Sequence, residues 1–189
     1  MLRKEMTKIE IEKELAGKGD YVLIDNITRF AKESLPVETR KFIYIKLAEI
    51  YEKRNMFSDA GDISGKLAEM AIVMSEKANY FTRETENYIK AGFFDKADLA
   101  IKKIIANVKA SERPKIMNEI KEFYKNQANT YEKEKRRSLA VKTYEKILTL
   151  NISDAEKDEI NKKLLVLYKE LGMMPKYMTM MQKVGKMRT

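Results

Sequence analysis

Apolar residues along this chain return at the three- and four-residue spacing of helices, and the helices themselves return in pairs. The clearest stretch runs from Tyr124 to Leu148: Tyr124, Ala128 and Tyr131 share one stripe, a short polar turn follows, and Ala140, Tyr144, Ile147 and Leu148 make a second stripe. Taking Tyr131 as the anchor, equivalent positions are Leu15, Tyr51, Tyr88, Tyr131 and Tyr168, separated by 36, 37, 43 and 37 residues. Nine positions after each stand Ile24, Ala60, Ala97, Ala140 and Tyr177. Self-similarity at this period predicts an all-α stack of helical hairpins in which each hairpin supplies its neighbour's core.

Punctuation divides the stack. Gly17 and Gly19 end a first helix that begins near Leu2, and Asp20 offers a cap to the helix that follows. A second pair covers 37–54 and 57–74, and its return helix carries Ala60, Gly61, Ser64, Gly65 and Ala68, a ribbon of small residues that predicts close helix contact. Ser75 is placed to cap a third pair, Gly92 to stop its first helix and Phe94 to open its return. Ser111-Glu112-Arg113-Pro114 starts a fourth, with a first helix running to about Lys133. Ser153 and Glu156 have the spacing of a capping box for the fifth. Pro175 then opens a last helix whose stripe of Tyr177, Met180, Met181, Val184 and Met187 is predicted to face the helix before it.

The residues Tyr124-x2-Gln127-Ala128-x2-Tyr131 followed by Ala140-x3-Tyr144 resemble the tetratricopeptide repeat, whose signature is an aromatic, a Leu-Gly and a Tyr on one helix and Ala-x3-Phe on the next. Pro36 also sits where that family favours a proline. The resemblance implies a right-handed solenoid of about five antiparallel helix pairs, about ten helices in one domain over 1–189. Its repeats would run approximately over 2–36, 37–74, 75–110, 111–152 and 153–189. The third repeat departs from the pattern, with Glu84 and Thr85 in place of Leu and Gly.

Composition narrows the chemistry. With no His and no Cys, Ser-His and Cys-His nucleophiles, thiolate and histidine metal sites, and disulfides are excluded. Neither common phosphate-loop pattern occurs. The expectation is therefore a chain that is not an enzyme and takes no cofactor or metal. No apolar run approaches the roughly 18 to 20 residues that span a bilayer, and the polar start after Met1 argues against a signal peptide, so a cytoplasmic location is expected. The net charge of +9 comes from 38 basic and 29 acidic residues, most of them interspersed, as solvated helix faces require.

In the tetratricopeptide family, first helices line a concave groove that holds partner peptides or helices. The resemblance therefore implies a scaffold or adaptor binding a partner protein or an acidic peptide. Its groove residues would be Asn79, Arg83, Glu86 and Lys90 from the third repeat, Lys125, Asn126 and Asn129 from the fourth, and Lys162, Lys163 and Lys169 from the fifth. One subfamily clamps a C-terminal carboxylate with Lys and Asn one turn apart, which Lys125 and Asn129 match. Lys163 stands where the next Asn is required, so a complete clamp is not expected. Two alternatives remain open. The cluster Lys133-Glu134-Lys135-Arg136-Arg137 and the tail cations Lys176, Lys183, Lys186 and Arg188 suit nucleic-acid phosphates. The repeat length is also similar to that of vesicle-fusion adaptors, which bind large protein surfaces.

Overall fold

The structure, a computed structural model, describes residues 2–186, with side chains through Gln182. Among the described residues the chain is 77% helical with no strands, and its ten helices pack against neighbours in sequence. They are α1 (Lys8–Leu15), α2 (Asp20–Phe30), α3 (Val37–Lys53), α4 (Phe57–Met70), α5 (Met74–Ala91), α6 (Phe94–Asn107), α7 (Arg113–Lys133), α8 (Arg137–Ile147), α9 (Asp154–Glu170) and α10 (Met174–Lys186). The chain divides into two compact units, one ending at Arg113 and one beginning at Pro114.

One local motif builds four of the hairpins. Tyr51, Tyr88, Tyr131 and Tyr168 each lie near the end of a first helix and are buried, none more than 9% exposed. The carbonyl of each accepts a hydrogen bond from the amide five residues on: Met56 to Tyr51 at 2.8 Å, Phe93 to Tyr88 at 2.9 Å, Arg136 to Tyr131 at 2.8 Å and Met173 to Tyr168 at 2.8 Å. Such a bond requires a left-handed residue just before its donor. Asn55, Gly92, Lys135 and Gly172 fill that position, with φ of 57°, 77°, 59° and 67°. The return helix begins six residues after each tyrosine, at Phe57, Phe94, Arg137 and Met174. Ala60, Ala97 and Ala140, three residues into their helices, are fully buried.

In the first unit, α3, α4, α5 and α6 pack in sequence order, with α2 against α3. The core uses Ile11 and Leu15 of α1, Ile27 and Phe30 of α2, and Ile43, Leu47 and Tyr51 of α3. The small residues of α4 answer to α5: a Cβ on Gly61 would lie 2.8 Å from the Tyr88 ring, and one on Gly65 would lie 2.9 Å from the Glu84 carboxylate. Buried hydroxyls on these helices are satisfied by the preceding turn, Ser64 donating to the Ala60 carbonyl at 2.7 Å and Thr85 to that of Phe81 at 2.9 Å. In the second unit α8 packs on α9 and α9 on α10, around Tyr124, Tyr131, Tyr144, Ile147, Leu164 and Tyr168.

Three boundaries differ from the sequence reading. The first helix starts at Lys8, not near Leu2, because Thr7 accepts from the Glu10 amide while the Glu10 carboxylate accepts from the Thr7 amide, a complete capping box. Asp20 is the first residue of α2, whose cap is Gly19, and it pairs with Lys53 at 3.1 Å. The backbone is extended at Ala71 and Val73, as the β-branched pair Ile72 and Val73 favours, so α4 ends early at Met70, α5 begins at Met74 and Ser75 lies inside it. The core stripe expected along the last helix is divided: Tyr177 and Met180 are half-buried and Met181 is 46% exposed, while the side chain of Val184 and the whole of Met187 lie outside the described residues. The capping box of Ser153 with Glu156 and the left-handed Gly17 and Gly92 stand as the sequence indicated.

Two stability predictions follow from the geometry. Gly61→Ala should lose the roughly 1 kcal/mol that alanine normally adds within a helix and instead destabilise by about 1–3 kcal/mol through overpacking. The same substitution on a Tyr88→Leu background should recover the gain, as read by urea unfolding. At the turn, Lys135→Gly should stabilise the chain by up to about 1 kcal/mol and Gly92→Ala should destabilise it by about 1–2 kcal/mol, because only glycine takes the left-handed conformation without cost.

Candidate functional site

In each unit the first helices lie side by side, and opposite charges tie them together. In the first unit Glu12 of α1 pairs with Lys46 of α3 at 2.8 Å, and Lys41 of α3 with Glu76 of α5 at 2.7 Å. The strongest tie joins the C-terminal half of α3 to α5. Arg83 grips Glu52 through two nitrogens at 2.7 and 2.8 Å, and the Asn87 amide donates to the same carboxylate at 2.8 Å. Burial pushes the Glu52 carboxyl up, but the hydrogen bonds from Arg83 and Asn87 outweigh it and hold the group below the usual carboxylate range.

The second unit repeats the device. Lys125 and Lys121 of α7 both reach Glu156 of α9, at 2.6 and 3.0 Å, and Lys125 also pairs with Glu122 at 3.1 Å. The Lys125 ammonium, the Ser153 amide and Lys121 together hold the Glu156 carboxyl far below its ordinary value. Farther along, Lys163 of α9 lies 3.0 Å from the Tyr144 hydroxyl of α8, 3.1 Å from the Asn129 amide oxygen of α7 and 3.6 Å from Glu132. Tyr144 donates to Glu132 at 2.7 Å, so three helices meet at one polar knot.

The ten residues expected on the binding face therefore fall into three groups. Arg83, Lys125, Asn129 and Lys163 are turned to the neighbouring helix. Glu86 and Lys90 pair with each other at 2.7 Å along α5, and Lys162 pairs with Asp158 at 2.6 Å along α9. Asn79, Asn126 and Lys169 are exposed on α5, α7 and α9. Lys125 and Asn129, which matched half of a carboxylate clamp, are drawn to different partners, and the carboxylate on Lys125 is the chain's own Glu156.

Sequence reasoning missed Glu52, Asn87, Lys121, Glu132 and Glu156. The signal was present as complementary charges one hairpin apart: Glu52 with Arg83 and Lys125 with Glu156, each 31 residues distant. The clustered cations of the turn after α7 are also partly matched. Arg136 pairs with Glu134 at 3.3 Å and lies over the Tyr131 ring, and Arg137 pairs with Glu170. Lys176 pairs with Glu145 at 2.6 Å, the side chains of Lys183 and Lys186 and the whole of Arg188 lie outside the described residues.

A second feature is an open cleft of about 600 Å³ in the first unit, with Glu84 at its base. Glu84 is 4% exposed, seated against Gly65, and meets the Lys103 ammonium at 3.2 Å. Burial raises its carboxyl pKa, against the pull of Lys103. Arg40, Lys66, Asp62 and Glu69 line the walls, so the cleft mixes both signs of charge. Among the described residues no group of three or more acidic side chains is placed to hold a metal ion, and no helix is long and apolar enough to cross a membrane.

No protein-family model matches the sequence, and no curated protein matches it.

The Glu52–Arg83 pair supplies a pH prediction. Its two side chains are 29% and 28% exposed, and a double-mutant cycle of Glu52→Gln with Arg83→Met should give a coupling of about 1–2 kcal/mol at neutral pH. The depressed Glu52 pKa means that this contribution is present above the unfolded carboxylate value of about 4.3 and fades as the pH falls through the lower folded value. Urea unfolding across the acid range checks it.

Proposed function

We propose that the chain is a non-catalytic protein-binding scaffold of the tetratricopeptide type, acting in the cytoplasm and presenting the polar faces of its first helices to a partner protein. The observation that carries this reading is the set of ion pairs joining one first helix to the next. They hold α1, α3 and α5 in one row, and α7 and α9 in another, before any partner arrives. A surface fixed in advance loses less conformational freedom on binding. Exposed donors ride on these rows: Asn79 in the first unit, and Asn126, Lys162 and Lys169 in the second. Lys162 and Lys169 suit an acidic segment of the partner.

The matched charges make the face a mixed one, in which specificity comes from register. The arginines at the turn after α7 are paired with acids, which weighs against a phosphate-binding role for that turn.

Capture from native extract, with nuclease and at two salt concentrations, tests the proposal. A protein should be retained after nuclease, and Lys162→Glu with Lys169→Glu should reduce its capture several-fold. Lys142→Glu, an exposed change on the return helix α8, should leave capture intact. Nuclease-sensitive retention of nucleic acid, or equal capture by all three proteins, would contradict it.

A further inference from the structure

The cleft of the first unit holds charges of both signs that the chain itself leaves under-compensated. It is lined from α3, α4, α5 and α6, and its volume of about 600 Å³ lies within the roughly 300–1,000 Å³ of small-molecule sites. Arg40 of α3 is half-buried, and its Nε is buried without a hydrogen-bond partner. Its Nη2 donates to the Glu33 carbonyl at 3.2 Å, and among the described residues it forms no ion pair. Lys66 of α4 likewise forms none, and its ammonium lies 5.8 Å from the centre of the Tyr44 ring. The acids of the cleft do not answer these cations because each is held elsewhere. Asp62 meets Tyr88 at 2.6 Å and Lys96 at 3.1 Å, Glu69 meets Lys77 at 3.8 Å, and Glu84 meets Lys103 at 3.2 Å.

Glu84 is the opposite case. It stands where the repeat pattern has Leu, and its carboxylate fits because Gly65 leaves the space, a Cβ there lying 2.9 Å from it. Among the described residues its one hydrogen-bond partner is Lys103, at 3.2 and 3.5 Å from the two oxygens. The Lys103 side chain is 42% exposed, so solvent weakens its pull. Burial therefore still holds the Glu84 carboxyl above its ordinary pKa, and the charges of Asp62 and Glu69 add to the effect. A carboxylate has about four acceptor sites, so Glu84 can take a second ammonium beside Lys103, and its burial favours one.

Charge limits the occupant. A plain anion entering the cleft would meet Asp62, Glu69 and Glu84, and a plain cation would meet Arg40, Lys66 and Lys103. A molecule carrying both charges is matched by both sets. We propose that the cleft binds a small zwitterion of the amino-acid class, its carboxylate on Arg40 and Lys66 and its ammonium on Glu84. The site uses none of the residues assigned to the partner face, so it stands apart from the scaffold reading.

Isothermal titration calorimetry on the full chain tests this with glycine, γ-aminobutyrate and ε-aminocaproate, which carry the two charges at increasing separation. Caproate and hexylamine, which carry one charge each, serve as controls. At least one of the three zwitterions should bind about ten-fold tighter than either control. Arg40→Gln and Lys66→Gln should each weaken that ligand several-fold, and Glu84→Gln should reduce it to the affinity of caproate. Lys66 is exposed, so Lys66→Gln should melt as the parent chain does and keeps the test decisive if either of the other variants fails to fold. Caproate binding as tightly as the best zwitterion would make the cleft a plain anion site, and hexylamine doing so would make it a plain cation site; either overturns the proposal. So would binding of none of the five compounds, or an affinity that Lys66→Gln leaves unchanged.

Discussion

The bond from each anchor tyrosine's carbonyl to the amide five residues on is the constraint from which the hairpins are built. It closes the first helix, forces one residue into the left-handed region and aims the chain so that the return helix starts one residue after the donor. The tyrosine ring, buried from the same position, couples this turn to packing. Gly92 and Gly172 meet the backbone demand freely, while Asn55 and Lys135 meet it at a conformational cost. That Lys135 is tolerated shows how firmly the surrounding contacts impose the turn.

Packing between hairpins then draws on what two of these tyrosines, Tyr88 and Tyr168, meet. Tyr88 donates to Asp62 of α4 at 2.6 Å, and Lys96 reaches the same carboxylate while lying over the Tyr88 ring. Tyr168 donates to Glu145 of α8 at 2.7 Å, and Lys176 completes the same arrangement. Burial and the facing carboxylate both push these phenols well above their ordinary pKa, so they remain donors at physiological pH. Recurrence of ring, carboxylate and lysine in the two units makes the tyrosine a link between hairpins as well as a cap on its own. The ion pairs between first helices act on the other side, and they give the proposed binding face its fixed register.

Much of the architecture was legible because it rests on local periodicity. The anchor tyrosines, the buried alanines nine residues later and the Ser153 box each declare themselves within a turn or two of chain. Helix ends were less legible where two local signals competed. Thr7-x-x-Glu10 carried a cap that a longer apolar pattern obscured, and Ile72-Val73 fitted an apolar stripe while favouring extended backbone. The candidate face was the least legible. Which helix carries Arg83 or Lys125 follows from periodicity, but whether its charge turns outward depends on Glu52 or Glu156 a hairpin away. The small residues Gly61 and Gly65 did announce close contact, though the partners that demand it, Tyr88 and Glu84, are visible only in three dimensions.

The most direct test is amide hydrogen exchange resolved at the four donors Met56, Phe93, Arg136 and Met173. These amides sit in short turns beside exposed residues, where a chain without the tyrosine carbonyl bonds would exchange at nearly the unfolded rate. The account predicts that all four are protected to a degree matching the helices they follow. Exchange at the unfolded rate at these positions, with the flanking helices still protected, would contradict it.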